Sequence, residues 1–265
     1  MSWSGGRAPG AAAAVARCVL APNPGPMTLE GTNTWVLLAP GETRALVVDP
    51  GPDDEAHLVA VLGAVREAGA EVGQVLLTHG HLDHSAGARR FAEMAGAPVR
   101  ALDPAHRLGG EGLVGGDVVQ AGELRLDVVA TPGHSADSLC FVLPGQAAVL
   151  TGDTVLGRGT SVVAHPDGRL GAYLDSLERL RRLAAEGGLQ SVLPGHGPPL
   201  PDPVAVLVGY QRHREERLEQ VRAAVAAGAR SPGAVVEVVY ADVDRMLWPA
   251  AELSVRAQLE YLGVR

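Results

Sequence analysis

Aromatic residues and cysteines are scarce in this chain. Phe, Trp and Tyr together make up 3% of the 265 residues, and the two cysteines are Cys18 and Cys140. Two cysteines can form neither a disulfide framework nor a four-cysteine zinc site. Since hydrophobic residues still make up 46% of the chain, the sequence predicts a globular core built mainly from Val, Leu and Ala.

Long apolar runs and an excess of positive charge are also missing. No apolar run reaches the roughly 20 residues that a membrane-spanning helix needs, and the alanines at 11–14 lack the leucine-rich centre of a secretion signal. We therefore expect a cytoplasmic protein with no membrane partner. The formal net charge is -8, and because dedicated duplex-DNA binders are usually basic, duplex DNA is not an expected partner.

Short apolar strands alternate with helices and turns along most of the chain. Hairpins are predicted at 34–48 and 139–150, single strands at 75–77, 124–129 and 191–193, and helices at 53–68, 88–95 and 173–185. Two sheets sandwiched between helices account for this order. We expect residues 1–17 to be a flexible lead-in, 18–203 to form this domain, and 204–265 to form a small module with helices at 211–227, 232–240 and 250–262.

A dense cluster of metal-ligating side chains follows the predicted strand at 75–77. The segment THGHLDH contains His79, His81, Asp83 and His84 within six positions. Imidazole nitrogens and carboxylate oxygens are ligands that zinc accepts. Residues two apart in an extended loop point the same way, so His79 and His81 can share one ion. Asp83 and His84 can then turn toward a second ion.

Three further candidate ligands each follow a different predicted strand. They are His134 in TPGH, Asp153 in TGDT and His196 in PGHGP. Taken alone, each is equally well explained as a turn residue or a helix cap. Two zinc ions need about four or five ligands each, however, and these three residues at matching strand ends can supply what the first cluster lacks.

The motifs THGHLDH, TPGHSADSL, TGDTVLG and PGHGP, in this order, resemble those of the metallo-beta-lactamase superfamily. The resemblance covers residues 23–199, and the segments at 22–34, 173–177 and 213–214 are similar to those of the beta-lactamase-like protein 2 group. It implies an α/β fold, namely the αββα metallo-beta-lactamase sandwich, followed by a small C-terminal helical, winged-helix-like module. The sequence predicts no hairpin that could serve as the wing of that module.

The same resemblance implies a role for each candidate ligand. His79, His81 and His134 match a first zinc site, and Asp83, His84 and His196 match a second. Asp153 matches a carboxylate that bridges the two, which implies two Zn2+ ions per chain. Asp83 is in addition the expected catalytic residue, because it can orient a metal-bound hydroxide besides binding metal. The sequence assigns neither substrate-binding residues nor an oligomeric state.

Hydrolysis by a metal-bound hydroxide is the expected reaction, with several substrates open. The beta-lactamase-like protein 2 group implies an endoribonuclease that acts on single-stranded RNA. The alternatives are a thioester hydrolase, similar to glyoxalase II or to acyl-carrier thioesterases, and a lactonase acting on a small ester. An iron-dependent redox enzyme is a further possibility. A flavodiiron-like site would need a carboxylate in place of His81, and a mononuclear dioxygenase would leave Asp83 and His84 unused.

Overall fold

The computed structural model, which describes residues 4–264, contains two six-stranded sheets. The strands of the first sheet, in spatial and chain order, are β1 (Gly6–Arg7), β2 (Ala16–Leu20), β3 (Asn33–Leu37), β4 (Arg44–Val48), β5 (Glu71–Leu76) and β6 (Val99–Arg100). The first four pair antiparallel, and β4, β5 and β6 pair parallel.

The second sheet contains the remaining strands. These are β7 (Val118–Ala121), β8 (Leu124–Ala130), β9 (Leu139–Leu143), β10 (Ala148–Gly152), β11 (Ser191–Pro194) and β12 (Leu200–Pro201). They lie side by side in chain order, and every neighbouring pair is antiparallel except β10 and β11.

The helices are α1 (Glu55–Glu67), α2 (Leu82–Ser85), α3 (Ala88–Ala95), α4 (Leu170–Glu186), α5 (Pro203–Ala226), α6 (Pro232–Val239) and α7 (Trp248–Tyr261). Helices α1 and α3 cover the outer face of the first sheet, and α4 and the start of α5 cover that of the second. Within residues 4–264 no helix is long and apolar enough to cross a membrane.

Alternation of side chains along the buried strands creates three layers of core. In β3, Trp35 and Leu37 point into the core between the two sheets, whereas Val36 packs under α1. In the second sheet, Phe141 points inward, and Cys140 packs outward against α4. The arrangement confirms the predicted αββα sandwich, in which both sheets are covered by helices.

The expected flexible lead-in at 1–17 is wrong for the residues that the structure describes. Gly6–Arg7 pairs with β2, and Ala12 and Val15 are buried in the core between the sheets. The alanines form part of a short 3-10 turn, Gly10–Ala14, in which the small side chain of Ala12 is the one that fits into the core. Residues 1–3 of that segment lie outside the described residues.

Helix α5 joins the sandwich to the C-terminal helices. It begins at Pro203 rather than near residue 211, because Asp202 caps it by accepting a hydrogen bond from the backbone N–H of Ala205. Leu207 near its start packs with α4, whereas Val221 near its end packs with α6 and α7. The boundary expected at 204 therefore falls at the start of a helix that serves both parts.

Candidate metal centre

Seven polar side chains meet where strand ends of the two sheets come together. His79 and His81 lie in the loop after β5, Asp83 and His84 lie on α2, and His134, Asp153 and His196 follow β8, β10 and β11. The two sheets are tied here by backbone hydrogen bonds from Asn33 to Gly195, 2.8 Å, and from Leu139 to Thr78, 2.7 Å. All seven sequence-predicted ligand positions are thus brought into one place.

A tight turn carries the first cluster past both halves of the centre. The Ser85 hydroxyl donates to the carbonyl of Gly80, 2.8 Å, and the backbone N–H groups of His84 and Ser85 both donate to the carbonyl of His81. This turn reverses the chain after His81. As a result His79 and His81 stay on one side, and Asp83 and His84 reach the other.

The first group of side chains is formed by three imidazoles. His81 Nδ1 lies 3.1 Å from His79 Nε2 and 3.0 Å from His134 Nε2. The ligand atoms of this trio all lie within 4.8 Å of one another. Three nitrogens at this spacing can share one cation.

The second group contains one carboxylate and two imidazoles. His196 Nε2 lies 3.2 Å from both Asp83 Oδ2 and His84 Nε2. Asp153 lies between the two groups: its Oδ1 is 3.3 Å from His84 Nε2, and its Oδ2 is 3.7 Å from His134 Nε2. Asp153 is therefore placed to contact cations in both groups.

Acceptors behind the imidazoles determine which ring nitrogen carries the proton. His134 Nδ1 faces the carbonyl of Val162 at 2.7 Å, and His196 Nδ1 faces the carbonyl of Gly31 at 3.1 Å. A carbonyl oxygen can only accept, so each Nδ1 donates, and each Nε2 directs a lone pair into the centre.

Asp49 orients two more histidines in the same way, His84 directly and His79 through Thr78. The sequence alone did not identify Asp49 as a functional residue. Its Oδ2 accepts from His84 Nδ1, 2.9 Å, and from the Thr78 hydroxyl, 2.7 Å. That hydroxyl in turn can accept from His79 Nδ1 at 3.0 Å. Asp49 directly follows β4 just as Asp153 directly follows β10, but the segment Asp49-Pro50-Gly51-Pro52 is also typical of a plain turn.

The residues present fit bound cations. Asp153 Oδ1 is buried and has no hydrogen-bond partner, and an unsatisfied buried carboxylate oxygen is costly. Imidazole nitrogens also converge to within 3.0–3.2 Å of one another in each group. Cations between the groups would satisfy both the oxygen and the nitrogens, and nitrogen and carboxylate donors are what zinc takes.

Protons can also neutralise the second group, and a metal ion must compete with them. Burial opposes a charge on His196, but the nearby Asp153 carboxylate outweighs it and raises the pKa of His196 to about 9. Likewise burial opposes a charge on His84, yet Asp153 and Asp49 raise its pKa well above the usual value. Burial and the neighbouring His84 and His134 instead lower the pKa of His79, so the two groups differ strongly in their attraction for protons.

Gly195 is required by the close approach of the second group. A Cβ atom at this position would lie 2.6 Å from Asp153 Oδ1 and 2.7 Å from His84 Cε1. We expect Gly195→Ala to displace both side chains and to lower the affinity for the second metal ion by at least about tenfold, as loss of ligand orientation does. Titration against a chromogenic chelator measures this affinity.

Gly209→Ala is the matched control for this substitution. Gly209 lies in α5, and a Cβ there would meet nothing within 4 Å, so alanine should stabilise the helix by about 0.5–1 kcal/mol without changing metal affinity. Equal metal affinity in the two variants would contradict the steric argument at Gly195.

A cleft of about 430 Å³ opens above the cluster. Four of the seven side chains, His81, Asp83, His134 and Asp153, form part of its lining. The remaining walls come from the loop at 26–29, the segment 156–164, one face of α5, and the C-terminal helices. The cluster is therefore accessible from a cavity that is lined by both the sandwich and the C-terminal helices.

Comparison with known proteins supports the same interpretation. Residues 27–196 match the metallo-beta-lactamase superfamily, and residues 231–263 match the beta-lactamase associated winged helix domain. In residues 203–264 of this chain that module contains helices and no strand. A beta-lactamase domain protein from Burkholderia ambifaria shares the fold, with a TM-score of 0.78 at 23% identity, covering 94% of this chain and 85% of that one.

Two curated relatives are similar over most of the chain. The beta-lactamase-like protein 2 homolog of Drosophila melanogaster is 30% identical over 265 residues, which cover 92% of this chain and 86% of that protein. The atrochrysone carboxyl ACP thioesterase of Aspergillus fumigatus is 35% identical over 209 residues, which cover 76% of this chain and 60% of that protein. The chain spans about three fifths of the length of this thioesterase and of the lactamase-like protein adaB of Aspergillus niger.

The fold, the ordered ligand motifs and the family match agree with one another. The predictions of fold class and family are confirmed. The chain belongs to the metallo-beta-lactamase superfamily.

Proposed function

We propose that this enzyme hydrolyses acyl thioesters at a two-metal centre. The observation that carries the proposal is the cleft, whose lining combines the ligand cluster with apolar side chains such as Met27, Leu29, Val243 and Leu247. An apolar cavity with a few convergent polar groups is typical of a small-molecule site. The relative named as an ACP thioesterase supports the same substrate class.

Two zinc ions are the proposed cofactors. The residues that would hold them are His79, His81 and His134 for one ion, Asp83, His84 and His196 for the other, and Asp153 for both. Imidazole ligands suit iron as well as zinc, so metal analysis of the purified protein decides the element. When bound, such ions supply Lewis acidity toward a carbonyl oxygen and make water more acidic.

Asp83 is the proposed catalytic residue. Its side chain is partly exposed and lines the cleft. Burial opposes ionisation, but the hydrogen bond from His196 and the charge of His84 outweigh it and lower the pKa of Asp83. The carboxylate is therefore ionised at neutral pH and can accept a hydrogen bond from the attacking water, which orients the water toward the acyl carbon.

The proposed reaction is a direct attack of water on the thioester. The water oxygen forms a bond to the acyl carbon, the bond from that carbon to sulfur breaks, and the sulfur leaves with its electron pair. A thiol has a pKa of about 8.5, so the departing thiolate needs little help from an acid. The attacking water releases one proton to solvent and the thiolate takes one up, so the products are a carboxylic acid and a free thiol, and no nucleophilic side chain takes part.

Single-stranded RNA is the second candidate substrate, and two arginines favour it. Arg214 and Arg217 line the cleft, and neither is paired with a carboxylate among residues 4–264: Arg214 donates to the carbonyl of Ser161 and Arg217 to the carbonyl of Val239. Two cations can hold only a few phosphates, whereas strong binding to a nucleic acid needs many such contacts. The apolar walls and the net charge of -8 favour the thioester.

Turnover of a substrate panel tests the proposal. We expect zinc-loaded protein to hydrolyse acyl thioesters of coenzyme A with a kcat/KM of at least about 10⁴ M⁻¹s⁻¹, at the lower end of the range for enzymes. At the same enzyme concentration a short unstructured RNA should remain intact. Protein stripped with a chelator is the control for both substrates. Cleavage of RNA without turnover of any thioester would replace this proposal with the endoribonuclease.

A further inference from the structure

One wall of the cleft is built by the C-terminal module and not by the sandwich. Val243, Leu247 and Ala250, here called the module wall, line the same cavity as the metal-ligating cluster. Val243 lies between α6 and α7, Leu247 directly precedes α7, and Ala250 lies in its first turn. All three are only partly buried, so they present apolar surface to the cavity.

Helix α5 fixes the module relative to the metal centre. The Tyr210 hydroxyl bonds to both backbone groups of Leu156, accepting from the N–H at 2.8 Å. Arg214 is buried and donates to the carbonyl of Ser161, whose hydroxyl lies 3.1 Å from Nδ1 of the proposed ligand His134. The helix is thus bonded to the segment that lines the cleft beside the cluster.

The same helix holds the module at its other end. Arg217 donates to the carbonyl of Val239, 2.7 Å, and its guanidinium lies 4.8 Å from the centre of the Tyr240 ring. A second connection joins the residue before α4 to α7, where Arg169 pairs with Glu260 at 3.0 Å. Because these contacts flank the module wall, that wall has a defined position in the cavity.

The chemistry of the module wall selects one part of a thioester. Its side chains are aliphatic, and the loop at 26–29 adds Met27, which is 46% exposed, and Leu29. The thiol half of a carrier thioester contains amides and a phosphate, which would lose hydrogen bonds with water against such surfaces. An aliphatic acyl chain has no hydrogen bonds to lose there, and its binding is favoured by the transfer of its apolar surface out of water.

We propose that the module wall binds the acyl chain and determines which chain lengths the enzyme prefers. The proposal rests on thioester hydrolysis as the function of the metal centre. It gives the C-terminal module a role in substrate choice. Ala250 has the smallest side chain of the wall, and a larger residue there would occupy the space of the distal methylenes.

Ala250→Phe tests this role by filling the cleft. The probes are coenzyme A thioethers with alkyl chains of two to twelve carbons, which resemble the substrate but cannot be hydrolysed, and their affinity is measured by calorimetry. In the unaltered protein we expect the affinity to rise about fourfold per methylene until the chain fills the cleft. In Ala250→Phe the shortest probe should bind unchanged, and the longest at least tenfold more weakly.

Two further variants keep the result interpretable. Ala223→Phe adds the same bulk to an exposed position of α5 outside the cleft and should leave the whole series unchanged. Leu247→Ala removes bulk from the wall and should weaken only the longer chains, by several-fold. If Ala250→Phe and Leu247→Ala leave the dependence on chain length unaltered, the module wall does not bind the acyl chain.

If thioester hydrolysis is not the function of the metal centre, the experiment gives a different result. In that case the unaltered protein would neither bind the thioether series nor hydrolyse the corresponding thioesters. Preserved hydrolysis together with unchanged chain-length preference in both wall variants would overturn only the role of the module.

Discussion

Asp153→Ala should release both metal ions together and abolish hydrolysis. Asp153 is the one side chain of the seven whose oxygens lie near both groups, 3.3 Å from His84 Nε2 and 3.7 Å from His134 Nε2. Loss of a group that hydrogen-bonds to a metal ligand typically lowers metal affinity or activity 10–100-fold. Loss of a ligand shared by two ions should lower metal affinity further. Elemental analysis of purified protein should fall from close to two ions per chain to nearly none.

His196→Ala gives the contrasting result. His196 belongs only to the second group, with Nε2 3.2 Å from Asp83 Oδ2, so this variant should keep about one ion per chain. Asp242→Ala removes an exposed carboxylate of the C-terminal module and is the control for a change of charge. Full metal content in Asp153→Ala would show that this carboxylate bridges nothing.

The sandwich and the positions of the candidate ligands could be predicted because both follow from local patterns. Short apolar runs predict buried strands, and each ligand candidate comes directly after one. His134, Asp153 and His196 are far apart in the chain, yet each follows a strand of the second sheet. These strands, β8, β10 and β11, run in the same direction, so their C-terminal ends lie at the same edge. Spacing within THGHLDH then predicts which residues of the loop can share an ion.

Features that depend on tertiary packing could not be predicted in this way. The sequence places the start of α5 near residue 211, because the segment before it, 204–210, is apolar on its exposed side as well, where Val208 is 48% exposed. Leu207 and Tyr210 on its other side are buried with α4. The N-terminal residues were expected to be flexible, since small residues such as Ala12 carry no periodic signal. The module wall is formed by half-buried aliphatic residues, and only the fold places them near the metal centre.

Asp49 is the clearest example of a functional residue that only tertiary packing reveals. Its replacement tests how the imidazoles are oriented. Its carboxylate accepts three hydrogen bonds: from the backbone N–H and the hydroxyl of Thr78, at 2.8 and 2.7 Å, and from His84 Nδ1 at 2.9 Å. Its φ of 52° lies in the left-handed region, which asparagine also tolerates. Asp49→Asn therefore preserves shape and backbone while changing one oxygen into a donor.

The amide cannot replace the carboxylate at His84. If the amide oxygen keeps the backbone N–H of Thr78, its NH2 group faces His84 Nδ1, which must then accept and move its proton to Nε2. A protonated Nε2 has no lone pair for a metal ion. If the amide is rotated the other way, two buried donors face each other at Thr78, which leaves both unsatisfied.

Asp49→Asn should therefore lower the affinity for the second ion by about 10–100-fold, the usual effect of losing a group that orients a metal-binding histidine. The first ion should be affected much less, because two of its three imidazoles do not depend on Asp49. Stepwise chelator titration separates the two affinities. Asp54→Asn is the control: Asp54 caps α1 by accepting from the backbone N–H of His57, and asparagine caps equally well. Unchanged affinity for the second ion in Asp49→Asn would mean that the tautomer of His84 is determined by something other than this carboxylate.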